Sequence, residues 1–506
     1  MKRLAAALAV CMIAARASGQ DPALPSPAPS PSPTPAPGPA SARPDEVLLI
    51  DSLGRAVSVP RSSLPQSLLP PAEVSLANQV PNNAARGGKL PPAVLERIDA
   101  SRPQAFTLFP SAQPSLASYL SGQDELGNTL VRPGPLLDIF PLETEAQAIK
   151  FWASHRGVRY SLRQTLMYEG LDDPESGSAH LGFYTMDFET KWTIFQGPES
   201  AGWLSAQVEG QTGLNPDGGR QDAGANIGSL TDPNGIWSHH EGLRVPELAW
   251  QQSWSRGRFV LLAGVINQGN YLDGNLYANT GRGQFLNSAL INSMVLPMPS
   301  YNFGVNLQWQ PSERWYAMVG ASAGNAGAGQ QPWTDFRWSD WSVVAEVGFA
   351  PNDVLGLGPG IYRIQPFLAR AGGPTQGGVA FNIQQQLGSD SPLGWFGRFG
   401  VGGSQVSAGA SAQAATGFVV QAPLALAGIA PRLTNDVFGA GFVWSQPSAT
   451  TQTVYHRHEY VFEAVYTLQF APAVRIQPDF QLVWNPVFSP AAGPSPVFQL
   501  EWLLAW

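Results

Sequence analysis

The chain has 506 residues, with 29 Lys and Arg against 37 Asp and Glu, and a formal net charge of −8. A net negative chain gives no reason to expect a nucleic-acid partner. Charged residues make up only 13%, aromatics reach 10% with 16 Trp, and Gly (53) and Pro (46) are abundant, a composition that argues for a β-rich protein with many turns.

Residues 1–20 read as a secretory signal. Lys2 and Arg3 give the charged start, Leu4 to Ala15 the apolar run, and Ala15, Ala17 and Gly19 small residues for cleavage. Cys11 is the single cysteine and lies inside this signal, where its surroundings match a lipoprotein site only weakly. A mature chain without cysteine enters an oxidising compartment without using disulfides. Residues 21–44 are a Pro/Ala/Ser-rich linker of polyproline type. Residues 45–140 form a weakly structured extension, expected in the periplasm. It includes a hairpin over Val47–Val59 around Ser52-Leu53-Gly54 and a short helix over Ala93–Ala100. A second short helix is expected over Glu143–Ser154, started by Pro141.

From about Arg159 the pattern has period two. Tyr184, Met186, Phe188, Trp192 and Ile194 fall on one face of a strand, and Thr185, Asp187, Glu189, Lys191 and Thr193 on the other. Phe303, Val305, Leu307 and Trp309 alternate with Asn302, Gly304, Asn306 and Gln308. The same alternation gives sixteen strands, at 159–168, 181–195, 202–212, 246–255, 258–267, 301–310, 315–323, 340–349, 361–371, 377–386, 395–405, 413–421, 436–446, 457–470, 473–485 and 496–506. Between 377 and 446 Gly and Ala blur the period.

A soluble β-sandwich also alternates. Three features favour a membrane barrel. The strands are about ten residues long, as a tilted membrane strand requires. Trp309, Trp315, Trp341, Trp484 and Trp506 sit at the ends of the apolar faces, as girdles do. Short turns at 255–257, 311–314 and 471–472 alternate with long connections at 213–244, 268–300, 324–339 and 445–456. The expected fold is therefore an all-β, transmembrane, antiparallel up-and-down β-barrel over residues 141–506, in the bacterial outer membrane. It should be about sixteen strands around with an aqueous lumen. The two longest loops, after strands three and five, should open on the outer face. The closing strand should put Phe498, Leu500, Trp502 and Leu504 toward lipid and Glu501 toward water, and pair with the strand near Arg159. Trp506 would anchor at the interface and signal to the barrel-assembly machinery.

Residues facing such a lumen are the acids Asp187, Glu189, Glu209, Glu247, Glu346, Glu459, Glu463, Asp479 and Glu501, and the bases Lys191, Arg258, Arg363, Arg398 and Arg475. Both signs, with many Gln and Asn, suit polyhydroxyl solutes, which need donors and acceptors more than net charge. Plain solvation of the lumen is the competing explanation for any one of them. His456 and His458 form a His-x-His on a strand, two ligands where a metal site needs a third, so no metal or cofactor is expected.

Residues 262–299 resemble the carbohydrate-selective porin (OprB) family. The resemblance lies in Gly264, Asp273, Asn275, Ala278, Asn279, Gln284, Phe285 and Leu286, with Val245-Pro-Glu-Leu-Ala-Trp upstream, and covers roughly residues 145–506. The chain departs from the family at Val265, where Lys is common. It implies a sixteen-stranded barrel whose long loops fold inward and narrow the channel for passive sugar diffusion, with Asp273, Asn275, Asn279 and Arg282 on such a loop. Those residues either contact solute or pack the loop against the wall. A general or organic-acid porin is the alternative, and a barrel-borne hydrolase with Ser, His and acid on the outer rim a further one. Monomer and homotrimer both remain open.

Overall fold

In this computed structural model the chain forms two units, Met1–Asn78 and Gln79–Trp506. It describes residues 46–50, 56–60, 136–137, 149, 153 and 156–505, apart from 198, 216–221, 238–240, 256, 300, 313, 324–336, 338, 372, 389–390, 404–408, 450–451, 472 and 491–492. The signal and linker expected over 1–44, the helix expected over 93–100, and Trp506 lie outside the described residues. Of the helix expected over 143–154, the described positions Ile149 and Ala153 are helical.

The first unit carries a hairpin of β1 (Glu46–Ile50) and β2 (Ala56–Pro60), with Val47 opposite Val59. The second unit is a closed antiparallel barrel of sixteen strands. In chain order they are β3 (Val158–Leu171), β4 (His180–Gln196), β5 (Ser200–Gly213), β6 (Gly242–Trp254), β7 (Phe259–Ile266) and β8 (Asn302–Trp309). Then come β9 (Trp315–Ala323), β10 (Trp341–Phe349), β11 (Gly360–Arg370), β12 (Gln376–Gln386) and β13 (Leu393–Gly402). The last are β14 (Ala410–Gln421), β15 (Val437–Pro447), β16 (Glu459–Ala471), β17 (Val474–Trp484) and β18 (Pro494–Ala505). Each expected strand exists, with boundaries moved by a few residues. β16 starts only at Glu459, so His456 and His458 precede the strand on which they were expected.

The seam closes by pairing β18 with β3, from Val497↔Leu171 to Ala505↔Arg163. This leaves no open edge. Period two is kept along β18. Val497, Gln499, Glu501 and Leu503 are buried on the inside, while Phe498 is 47% exposed outside. The outer surface is apolar around the barrel, which suits lipid. One rim carries stacked Phe259–Trp309 and packed Trp315–Phe349 pairs, with ring centroids 6.3 and 4.6 Å apart. These are interfacial aromatics of the kind that anchor a barrel. The turns on this rim are mostly short, but residues 422–436 make a longer connection carrying the helical turn α3 (Pro423–Leu426).

The lumen is not open across its width, because long loops fold inward as the family resemblance implies. Two loops from the other rim enter it. Residues 214–241 carry α1 (Ala223–Ile227), capped by the Asp222 carboxylate accepting from Ala225 N–H at 2.8 Å. Residues 267–301 carry α2 (Ser288–Ile291), capped by Asn287. Tyr277, Phe285 and Leu290 of the second loop pack against Phe396, Val419, Val443, Val461 and Val465 of the wall. A methyl group at Gly394 would come 2.4 Å from the Tyr277 ring, and one at Gly439 2.9 Å from the Phe285 ring. The Gly and Ala that blur the alternation between 377 and 446 therefore make room for this loop. One side of the lumen is thus a packed core.

Candidate functional site: an eccentric polar cleft

An open polar space lies along β3 to β6, facing the 267–301 loop. It is a cleft of about 260 Å³, lined by Arg163, Glu189, Lys191, Gln207, Glu209, Glu247 and Gln251 on the wall. The facing loop contributes Asn267, Asn270, Tyr271, Asn279, Thr280, Arg282, Asn292 and Tyr301.

Strand register sorts the wall charges into tiers. Asp187 is opposite Arg163 on one side and Glu209 on the other, and Glu209 is opposite Arg244. Glu189 is opposite Gln207, which is opposite Glu247. Lys191 is opposite Ser205. Within and between tiers the charges are paired. Arg163 bonds Glu189, and Arg244 bonds Glu209. Arg282 reaches from the loop to Asp187 at 2.5 Å, which also accepts from Gln207 at 3.1 Å. The Lys191 ammonium lies 5.1 Å from the centre of the Trp203 ring, and the Arg244 guanidinium 4.4 Å from that of Tyr301. Tyr271 donates to Glu247 at 2.7 Å. Four cations and four carboxylates thus cancel around one narrow passage, with two tyrosines beside them.

Of the expected site residues, Glu189, Lys191, Glu209, Glu247, Asn279 and Arg282 line the cleft, and Asp187 is bonded to its edge. Arg258 does not. It is exposed in the turn before β7, because that strand begins one residue later, at Phe259. Most of the others hold loops to the wall, while Arg363, Arg475 and Asp479 bond within the wall itself. Asp273 and Asn275 are fully buried. The Asp273 carboxylate accepts from Ser293 N–H at 2.6 Å, Arg398 Nε at 3.1 Å and Asn382 at 2.6 Å. Asn275 donates to Asn382 at 2.8 Å. Glu346 accepts from Asp273 N–H at 3.0 Å and Tyr316 at 2.6 Å, with Arg363 at 3.7 Å. Glu463 accepts from Leu286 N–H at 2.6 Å and Asn287 N–H at 3.0 Å. Asp479 accepts from Gln481 at 3.0 Å, and Arg475 donates to Gln469 at 3.2 Å. Glu459 takes five donors, among them Leu230 N–H at 2.7 Å and Thr231 N–H at 2.9 Å.

Arg163, Tyr271 and Tyr301, which line the cleft, and Arg244, which bonds Glu209 behind it, are residues that the sequence reading left out. Alternation along β3 carries the signal for Arg163, since Leu166 and Tyr168 face out. The two tyrosines sit in irregular loop, where no period exists.

A family model for carbohydrate-selective porins of the OprB family matches residues 177–377 and 368–498. The chain belongs to the OprB family of carbohydrate-selective porins. A curated relative, Porin AaxA of Chlamydia muridarum (strain MoPn / Nigg), is 25% identical over 246 residues, 47% of this chain and 50% of that protein. The match thus spans half the relative's length. Among solved structures, the high-pH form of Pseudomonas putida OprB superposes with a TM-score of 0.58 at 14% identity, covering 72% of this chain and 97% of that one. The likeness is one of fold. Family and fold indicate a channel of the bacterial outer membrane.

Proposed function

We propose that this porin admits carbohydrates and similar small neutral polyols by passive diffusion through the eccentric cleft. The observation that carries this reading is the cancellation of charge around the passage. A lumen dominated by one sign concentrates counter-ions. Here three of the four cations bond an acid and the fourth, Lys191, lies over the Trp203 ring, so the signs balance in number, and what a solute meets is a dense set of donors and acceptors with Tyr271 and Tyr301 alongside. Hydroxyl groups exchange hydrogen bonds with such a wall, and aromatic faces pack against the apolar faces of sugar rings.

The test is conduction in planar bilayers. Sugars should reduce the current, and cation and anion permeabilities should be similar in a salt gradient. Liposome swelling with sugars and organic acids of graded size separates this reading from a general or organic-acid porin. Permeation that ranks by charge rather than by hydroxyl content would replace it.

The extension over 45–140 is assigned to the periplasm on the same reading. Leu136 and Leu137 donate backbone N–H groups to Gln469 and Phe470, at 3.0 and 2.8 Å, beside the short turn between β16 and β17. Short turns face the periplasm in bacterial barrels. Protease protection in intact cells, lost on opening the outer membrane, tests this.

A further inference from the structure

We propose that Arg398 sets the bore of the channel from behind, as a positioning residue that never meets the solute. This rests on the cleft being the conducting path. Arg398 projects inward from β13 and is fully buried on the far side of the 267–301 loop. Its guanidinium binds that loop at three separated places. It donates to the carbonyl of Asp273 at 3.1 Å, of Ala278 at 2.6 Å and of Leu290 at 2.6 Å, and Nε also bonds the Asp273 carboxylate.

The positions matter more than the number. Ala278 immediately precedes Asn279, Thr280 and Arg282, which form one part of the loop's cleft face. Leu290 immediately precedes Ile291 and Asn292, which form another. Both cleft-facing segments therefore hang from carbonyls that a single planar cation fixes. Asp273 completes the grip. It holds a left-handed backbone at φ 60°, unusual for a residue with a side chain, while its N–H is held by Glu346 and its carboxylate takes Ser293 N–H. The strand ladder of the barrel does not pass through any of these bonds, so the bore is adjustable without opening the wall.

Guanidinium geometry is needed here. Its donors radiate in a plane from a rigid fork, whereas an ammonium is a single point on a flexible stem. Arg398→Lys keeps the positive charge near Asp273 and cannot span the three carbonyls. The experiment compares wild type and Arg398→Lys, first by heat-modified gel mobility to establish that the barrel is assembled. Single-channel conductance and the largest oligosaccharide admitted by liposomes then report the bore. The expected result is an assembled barrel whose conductance rises by about twofold, with a larger sugar cut-off, because current and sieving both follow the narrowest section.

An assembled variant with wild-type conductance and cut-off overturns the proposal, whatever its thermal stability. Asp273→Asn, which keeps the side-chain shape and removes the charge, carries the same measurement if Arg398→Lys does not assemble. Failure of both to assemble also overturns it, since the clamp would then serve folding and not bore. A wild-type protein that does not conduct would instead remove the functional reading beneath it.

Discussion

Arg244 and Glu247 lie three residues apart on β6, and both are buried on the inner face of the barrel. In a regular strand such a spacing puts side chains on opposite faces. The register explains the exception. Gln207 is opposite Glu247 and Glu209 opposite Arg244, so one residue of β5 faces two of β6, Val245 and Pro246. Proline lacks the ladder donor and is at home in such a bulge. The bulge brings Arg244 against Glu209 and leaves Glu247 free to receive the Tyr271 hydroxyl.

Charge balance at the cleft should be adjustable in either direction. Arg244→Gln leaves an excess carboxylate and should shift the reversal potential toward cations. Glu247→Gln leaves an excess cation and should shift it toward anions. A unit charge a few ångströms from the path is worth about 1 kcal/mol in water, or about fivefold in the permeability ratio. Measurement at low salt is required, because screening removes the effect at molar ionic strength. Shifts of the same sign in both variants would contradict the pairing.

Tyr301 should act on sugars and not on ions. Its ring lies against the Arg244 guanidinium at the edge of the passage. Tyr301→Ala should weaken block by a malto-oligosaccharide by about fivefold, the order expected for losing about 1 kcal/mol of aromatic contact. Reversal potential should stay constant. The concentration dependence of the block measures this.

Glu459 should matter to stability. It accepts five hydrogen bonds that hold Ser229, Leu230, Thr231 and Val487 around it. Glu459→Ala leaves buried donors unmet and should cost about 3 kcal/mol. The temperature at which the folded band is lost on a gel should fall. An unchanged temperature would mean that the loop is held elsewhere.

Gly439→Leu tests the packed side. A side chain there enters the space of the Phe285 ring. The expected result is either loss of assembled barrel or an assembled barrel with the 267–301 loop displaced and conductance raised. Wild-type conductance in an assembled variant would refute the packing.

The wall was legible in the sequence because strands announce themselves by period two, and the seam from Val497 to Ala505 pairs as that period requires. The inward fold of the long loops followed from the family resemblance, but how fully they pack the lumen did not follow from alternation. Gly394 and Gly439 record the loop only as missing side chains, and what fills the space is distant in sequence. Asp187, Glu189 and Lys191 were found by alternation, and Arg244 was hidden by the bulge. Asp273 and Asn275 were singled out correctly as a motif, but sequence does not say on which side of a loop a side chain ends. In the fold they face the wall, while Asn279 and Arg282 face the cleft.

The eccentric passage divides the labour of the barrel unevenly. The wall of the cleft comes from β3 to β6, while β9 to β17 serve as a mould for the loop that faces it. Variation should consequently sort by sector. Changes in the mould would be felt as failures of assembly, and changes along β3 to β6 as altered diet. The 267–301 loop, bounded by β7 and β8 and seated in a fixed mould, is the natural unit to exchange between related porins when a different solute is wanted.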